Sequence, residues 1–254
     1  MANANPARAV PVRAAVQGLS SSVAAPRAAA NRPPMRRPAR RCAIAAVAPQ
    51  QARDFVDGYV VEDSILSAAR GQAREVGVRP VAPAAGAALR MIVAAGGAKA
   101  VVEVGTGTGV SGIWLLRGMR PDGVLTTIDI EAEHQRVARR AFAEAGFAPS
   151  RARIITGRAL DVLPRLADGV YDLVFVDHDV NEYAAGVTAA ARLLRKGGVL
   201  VLGAALAGGK VADPAVRDPD TVVLREVVKS LRDADEWIPA LLPTGEGLLC
   251  AVKR

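Results

Sequence analysis

The sequence predicts an α/β fold: a seven-stranded, mostly parallel sheet with an antiparallel C-terminal hairpin and helices on both faces. Three observations carry this. Short β-branched runs alternate with helical stretches from residue 100 onward, the pattern of βα units. Those runs are predominantly apolar and lack a strict apolar/polar alternation, as strands covered on both faces do. The last two runs flank Thr244-Gly245-Glu246-Gly247, a glycine-containing turn that suits a hairpin at the sheet edge. A chain of 254 residues, 51% hydrophobic and 23% charged, can bury a sizeable single core.

The elements follow in order. Asp63-Ser64 precedes Ile65, Leu66, Ala68 and Ala69, which marks a helix start with a capping carboxylate. Pro83 opens a second apolar helix that Gly96-Gly97 closes, proline fitting the first turn and glycine the exit. Strands are expected at Ala100–Val104, Val124–Ile128, Arg153–Ile155, Tyr171–Val176 and Gly198–Leu202. Helices are expected at Ser111–Gly118, Ala132–Ala145, Ala159–Leu166, Ala184–Leu194 and Asp220–Asp233, and the hairpin strands at Trp237–Leu242 and Leu248–Val252.

Charge divides the chain in two. Residues 1–53 hold nine arginines and no acid, which leaves 24 of the 33 basic residues against all 25 acidic ones from Asp54 on, a net of −1. The overall +8 therefore belongs to the tail, and the domain at 54–254 is not expected to grip nucleic acid. Residues 1–53 are rich in Ala, Arg and Pro without an apolar period and read as a disordered basic tail; an organelle transit peptide is the alternative. The location expected is cytoplasmic, or plastid or mitochondrion if the tail is a transit peptide. No apolar run reaches the ~20 residues of a membrane helix. Two cysteines and two histidines exclude a disulfide scaffold and a His- or Cys-built metal cage.

The chemistry-bearing motif is Glu103-Val104-Gly105-Thr106-Gly107-Thr108-Gly109-Val110-Ser111-Gly112, between a strand and a helix. Glycines at such a bend let backbone approach a ligand, and the helix N-terminus offers free N–H groups to an anion. Gly107-x-Gly109-x-x-Gly112 with Asp129 downstream also fits a dinucleotide fingerprint. An NAD-dependent oxidoreductase is the less favoured alternative, because two helices precede the first strand and no hydride-transfer partner is evident. Asp129 ends Thr126-Thr127-Ile128-Asp129, where a carboxylate can accept from both hydroxyls of a ribose. Asp177 ends an apolar run, and in a sheet whose winding reverses between the first and fourth strands it would face the Gly105 loop.

These motifs resemble the cation-dependent O-methyltransferase family that contains the catechol and caffeoyl-CoA enzymes. The residues carrying the likeness are Val102 to Ser111, Thr127-Ile128-Asp129-Ile130-Glu131, Tyr171-Asp172-Leu173-Val174-Phe175-Val176-Asp177-His178-Asp179 and Gly197-Gly198. The resemblance spans roughly residues 58–254 and implies a Rossmann-like sheet, S-adenosylmethionine (SAM) as cofactor and methylation of a hydroxyl on a small molecule. It implies cofactor contacts from Val81, Glu103, Gly105, Thr106, Gly107, Gly109, Ser111, Asp129, Arg158, Ala159 and Asp179. Ser111 would meet the methionine carboxylate, the turn at Gly157-Arg158-Ala159 the adenine, and Asp179 would cover it. Asp177 would lie beside substrate, and Tyr183 is a candidate substrate wall or a core residue.

Two departures bear on mechanism. The family's Asp-Asn metal ligands are Gly203-Ala204 here, and its lysine after the first aspartate is Val180. Asp177 alone would then remain for a divalent cation, which wants about six oxygens. His178, with an ordinary value near 6.5, becomes the candidate base beside Asp177, or simply packs against cofactor. A catalytically impaired SAM-binding protein of the same fold is the other reading. The expected partner is a small hydroxylated molecule, with neither nucleic acid nor membrane, and a homodimer is left open.

Overall fold

The computed structural model describes residues 49–254; the tail reading at 1–48 lies outside the described residues. Helix α1 (Pro49–Tyr59) already begins before Asp54, so among the described residues three helices, not two, precede the first strand. Helix α2 (Ser64–Glu75) is capped by Asp63, whose carboxylate accepts the Leu66 N–H at 3.0 Å. Helix α3 (Pro83–Ala95) has its proline in the first turn and Gly96 at its end. Each of the two satisfies terminal backbone groups that a helix cannot satisfy itself, or dispenses with them.

The strands are β1 (Ala100–Val104), β2 (Val124–Asp129), β3 (Ala152–Thr156), β4 (Tyr171–Val176), β5 (Leu194–Leu202), β6 (Trp237–Leu242) and β7 (Leu248–Lys253). They lie in the order β3-β2-β1-β4-β5-β7-β6, with β1 to β5 parallel and β7 antiparallel to both β5 and β6. Strand β5 starts earlier than Gly198, because Leu194 already pairs with Tyr171 across an irregularity before Val199 resumes the ladder against Leu173. Between strands run α4 (Val110–Gly118), α5 (Ala132–Glu144), the short α6 (Ala159–Val162), α7 (Tyr183–Leu193) and α8 (Pro219–Asp233). A single 3-10 turn over Leu163–Arg165 replaces the second half of the helix expected after Ala159.

Residues of alternate parity on the central strands face opposite layers. Val102, Val104, Val174 and Val176 pack against α7 and α8 residues such as Leu193, Leu224 and Val227. Val101, Leu173 and Phe175 pack with Leu66, Leu89 and Trp114 from α2, α3 and α4. Glu62 binds Arg70 through two bonds of 2.8 and 2.6 Å and accepts the Trp114 indole at 3.3 Å, which ties α2 to α4.

At the N-terminal end of the sheet, Asp172 makes a clasp. One oxygen accepts Lys99 N and Ala100 N at 2.7 and 2.9 Å, and the other accepts Arg195 at 2.7 Å, joining the starts of β1, β4 and β5. No helix of the described residues is long and apolar enough to cross a membrane.

Candidate active site

Because β4 lies beside β1 while β2 lies on its other side, the connections leave β1 and β4 in opposite directions and open a crevice at their C-terminal ends. Gly105 N bonds Ile128 O and Asp177 N bonds Val104 O, both at 2.9 Å, so the glycine loop and Asp177 are set by the sheet itself. A cleft of about 560 Å³ occupies this crevice, the size of an ordinary cofactor site. Gly105 has φ +98°, and a Cβ there would fall 2.2 Å from the Asp177 carbonyl oxygen. Only glycine allows the loop to pass so close to β4.

The loop leads into α4, whose N-cap Gly109 offers no side-chain bond to the first turn. Those N–H groups are left for an anion, and buried Ser111 lines the cleft beside them. Thr108 anchors the loop by donating to Ala69 O on α2 at 3.0 Å.

Asp129 is held by the same loop. Gly107 N donates to one carboxylate oxygen at 2.8 Å and Glu131 N to the other at 2.9 Å. Each oxygen keeps a lone pair, enough to accept two vicinal hydroxyls. Past Asp129 the cleft is lined by Ile130, Glu131 and His134 on one side, and by Gly157, Arg158, Ala159, His178, Asp179 and Glu182 on the other.

Ile130, exposed to 60%, is an apolar rim residue that sequence reasoning passed over, although it follows Asp129 directly. His178 meets Glu182 at 3.2 Å, and Arg158 meets the same carboxylate at 3.4 Å. Burial pushes the His178 imidazole below its usual value against the opposing pull of Glu182. Its Nδ1 is enclosed and has no partner among the described residues.

The structure brings Val81, Gly105, Thr106, Gly107, Ser111, Asp129, Arg158, Ala159, Asp177, His178 and Asp179 together along the cleft. Gly109 sits one layer back as the α4 cap. Asp179 is exposed at the rim and caps a short 3-10 turn by accepting Asn181 N. Glu103 lies behind the loop and is fully buried. Tyr183 also lies behind the wall: it is fully buried, stacks at 5.9 Å on His178 and donates to Gly203 O at 3.1 Å. Its ring backs the site instead of facing it.

Asp177 stands between the main cleft and a second recess of about 170 Å³. That recess is lined by Val81, Ala85, Ala204, Thr244 and Glu246 among others. The Thr244 hydroxyl is enclosed there without a partner among the described residues, and Arg79 pairs with Glu246 at 2.7 Å. Burial pushes the Asp177 carboxyl up to about 7, with the Glu246 charge adding to the effect.

The residues present do not fit a hard dication. A Cβ at Gly203 would fall 2.3 Å from Asp177 Oδ1 and 2.5 Å from Cγ, so the Asp177 carboxylate fills the space that a ligand side chain at Gly203 would need. Ala204 supplies no side-chain oxygen, and among the described residues no cluster of three His, Cys, Asp or Glu could hold a metal.

Comparison with known proteins supplies the family and the fold. A family model described as O-methyltransferase matches residues 66–254. A Mycobacterium marinum protein bearing an O-methyltransferase name is 53% identical over 197 residues, 78% of this chain and 88% of that one. A solved Corynebacterium glutamicum structure aligns at TM-score 0.75 with 36% identity, over 80% of this chain and 96% of its own. The O-methyltransferase TomG of Streptomyces achromogenes, involved in tomaymycin synthesis and crystallised with SAM, aligns at TM-score 0.72 with 31% identity, over 82% and 99%.

Proposed function

The chain belongs to the O-methyltransferase family and is SAM-dependent, and from that premise we propose a cation-independent methyl transfer to a small hydroxylated molecule seated beside Asp177. The observation that carries the proposal is the crevice in which Asp177 separates a cofactor-sized cleft from a smaller recess. In this reading the methionine carboxylate of SAM lies at the α4 N-terminus against Ser111, with backbone at Val81, Gly105 and Thr106 around it. Asp129 accepts the ribose hydroxyls. The adenine lies toward Ile130, His178 and Asp179, with the Arg158-Ala159 turn at its edge. A cytoplasmic location belongs to the same proposal.

The acceptor occupies the recess with its hydroxyl toward Asp177. Its oxygen attacks the sulfonium methyl in line. The O–CH3 bond forms as the S–CH3 bond breaks, the electron pair of that bond goes to sulfur, and the hydroxyl proton passes to the Asp177 carboxylate. The sulfonium is already activated, so holding the two reacting atoms at van der Waals range supplies much of the rate. The recess matches a single six-membered ring in size, since an apolar cavity of about 150 Å³ takes up benzene.

The test is methyl transfer from SAM to a panel of monocyclic phenols, run with and without chelator, alongside Asp177→Asn. Transfer that survives chelator and is lost in Asp177→Asn is expected. Transfer that requires an added dication would overturn the cation-independent mechanism.

A further inference from the structure

Glu103 is a carboxyl group with no access to solvent and no counter-charge. One oxygen accepts the Thr127 hydroxyl at 2.6 Å; the other has no partner among the described residues. Thr127 in turn lies 2.7 Å from the hydroxyl of Thr106, in the cofactor loop. A hydroxyl has one proton. Thr127 commits its proton to Glu103, so Thr106 must be the donor to Thr127. The chain Thr106–Thr127–Glu103 therefore fixes the Thr106 rotamer and, with it, the turn from Gly105 to Gly107 that also binds Asp129.

The surroundings of Glu103 are hostile to negative charge. The charges that bear on it are Asp129 at the end of β2 and Asp177 just past β4, both carboxylates, while α4 contributes only the Ser111 hydroxyl. A Cβ at Gly112 would come within 3.3 Å of the Glu103 carboxylate, which places this group under the first turn of α4. The cofactor reading above seats a carboxylate on the outer side of that same turn. Two anions would then share one helix N-terminus, and the worth of a helix terminus to an anion falls off within its first turn.

We infer that Glu103 is a positioning residue that acts on the cofactor through Thr127 and Thr106, and that its uncharged state leaves α4 to the cofactor's carboxylate. The inference rests on the proposed cofactor seat but adds a residue that never touches the ligand. Burial pushes the Glu103 carboxyl up to about 7 against the opposing pull of the Ser111 and Thr127 hydroxyls, with Asp177 and Asp129 adding to the rise, so the neutral form is populated at ordinary pH and is lost above it.

The experiment compares wild type, Glu103→Gln, Glu103→Ala and Thr127→Val by calorimetric titration with S-adenosylhomocysteine from pH 6 to 8.5, with Asp129→Ala as the control for the seat. Amide exchange over residues 105–109 is read in the ligand-free proteins. Glu103→Gln keeps the wild-type affinity of pH 6 and holds it at pH 8.5, where wild type has weakened several-fold. Glu103→Ala and Thr127→Val bind about tenfold more weakly at every pH and exchange faster across the loop. Parallel pH profiles for wild type and Glu103→Gln, or loop exchange unchanged in both Glu103→Ala and Thr127→Val, would overturn the inference. Full binding by Asp129→Ala would instead count against the cofactor seat while leaving the loop-exchange result to stand on its own.

Discussion

Replacing Gly203 by alanine and by aspartate asks whether the cation site of the wider family can be restored by one substitution. The structure answers that it cannot. A Cβ at Gly203 meets Asp177 Oδ1 at 2.3 Å, Cγ at 2.5 Å and Cβ at 3.0 Å, and the carboxylate can yield only toward the cleft or the recess. Overpacking of this kind costs about 1–3 kcal/mol. In a domain of this size each kcal/mol lowers Tm by ~2–4 °C, so Gly203→Ala should melt roughly 2–12 °C below wild type. Gly203→Asp adds a second carboxylate beside the first; two unit charges ~4 Å apart repel by ~4 kcal/mol at an effective dielectric of 20. The pair escapes most of this by keeping one group protonated. The assay is thermal and urea unfolding at neutral pH, with and without 5–10 mM magnesium (roughly the excess that would saturate a weak oxygen site). Combining Gly203→Ala with Asp177→Ala should recover much of the loss, because the two positions are in direct contact and their effects cannot add. The reasoning is refuted if Gly203→Asp melts at the wild-type temperature and magnesium stabilises it.

Three further outcomes are expected. Asp129→Ala should weaken SAM binding by about 1–3 kcal/mol, the cost of removing a hydrogen-bonding partner from a sheltered site, measured by calorimetric titration; equal affinity would remove Asp129 from the ribose. SAM affinity should be the same with chelator and with added magnesium, and a chelator-sensitive Kd would mean that oxygens outside the present donor set complete a metal site. Glu103 should also leave a signature on stability. Its folded value is raised from the usual 4.5 to about 7, so the folded state binds the extra proton, and stability attributable to it is full below about 4.5 and declines as pH rises through 7. The stability gap between Glu103→Gln and wild type should therefore shift by about 3 kcal/mol in favour of the variant between pH 4.5 and 8, and a gap that does not move with pH in urea titrations would contradict the buried-carboxyl account.

Much of this architecture is legible in the chain because its strands are marked twice, by β-branched apolar runs and by the turns that bound them. Tyr171–Val176 and Ala100–Val104 coincide with the observed strands. Helix α1 escaped notice for a physical reason: Phe55, Val56 and Tyr59 stay exposed, so no clean buried face separates it from the arginine-rich stretch before it. The early start of β5 was not legible because Gly197-Gly198 marks the strand only from Gly198 on, whereas the ladder already pairs Leu194 with Tyr171 before an offset to Val199. In the site, residues at strand ends and in the glycine loop could be read because position and chemistry coincide there. Ile130, the partnerless Thr244 hydroxyl and the packing of Asp177 into the space at Gly203 could not, since each depends on what a neighbouring element places opposite it.

The Asp172 clasp has a practical corollary. It gathers two backbone N–H groups and one guanidinium from β1, its lead-in and β5 onto a single carboxylate, at the end of the sheet remote from the crevice. The two ends of the strands are therefore separable workplaces for an engineer. Cross-links, added ion pairs, surface attachment or a fused partner can be sited around Lys99, Asp172 and Arg195 to raise heat tolerance, while the opposite rim is left free to be recut for a new acceptor.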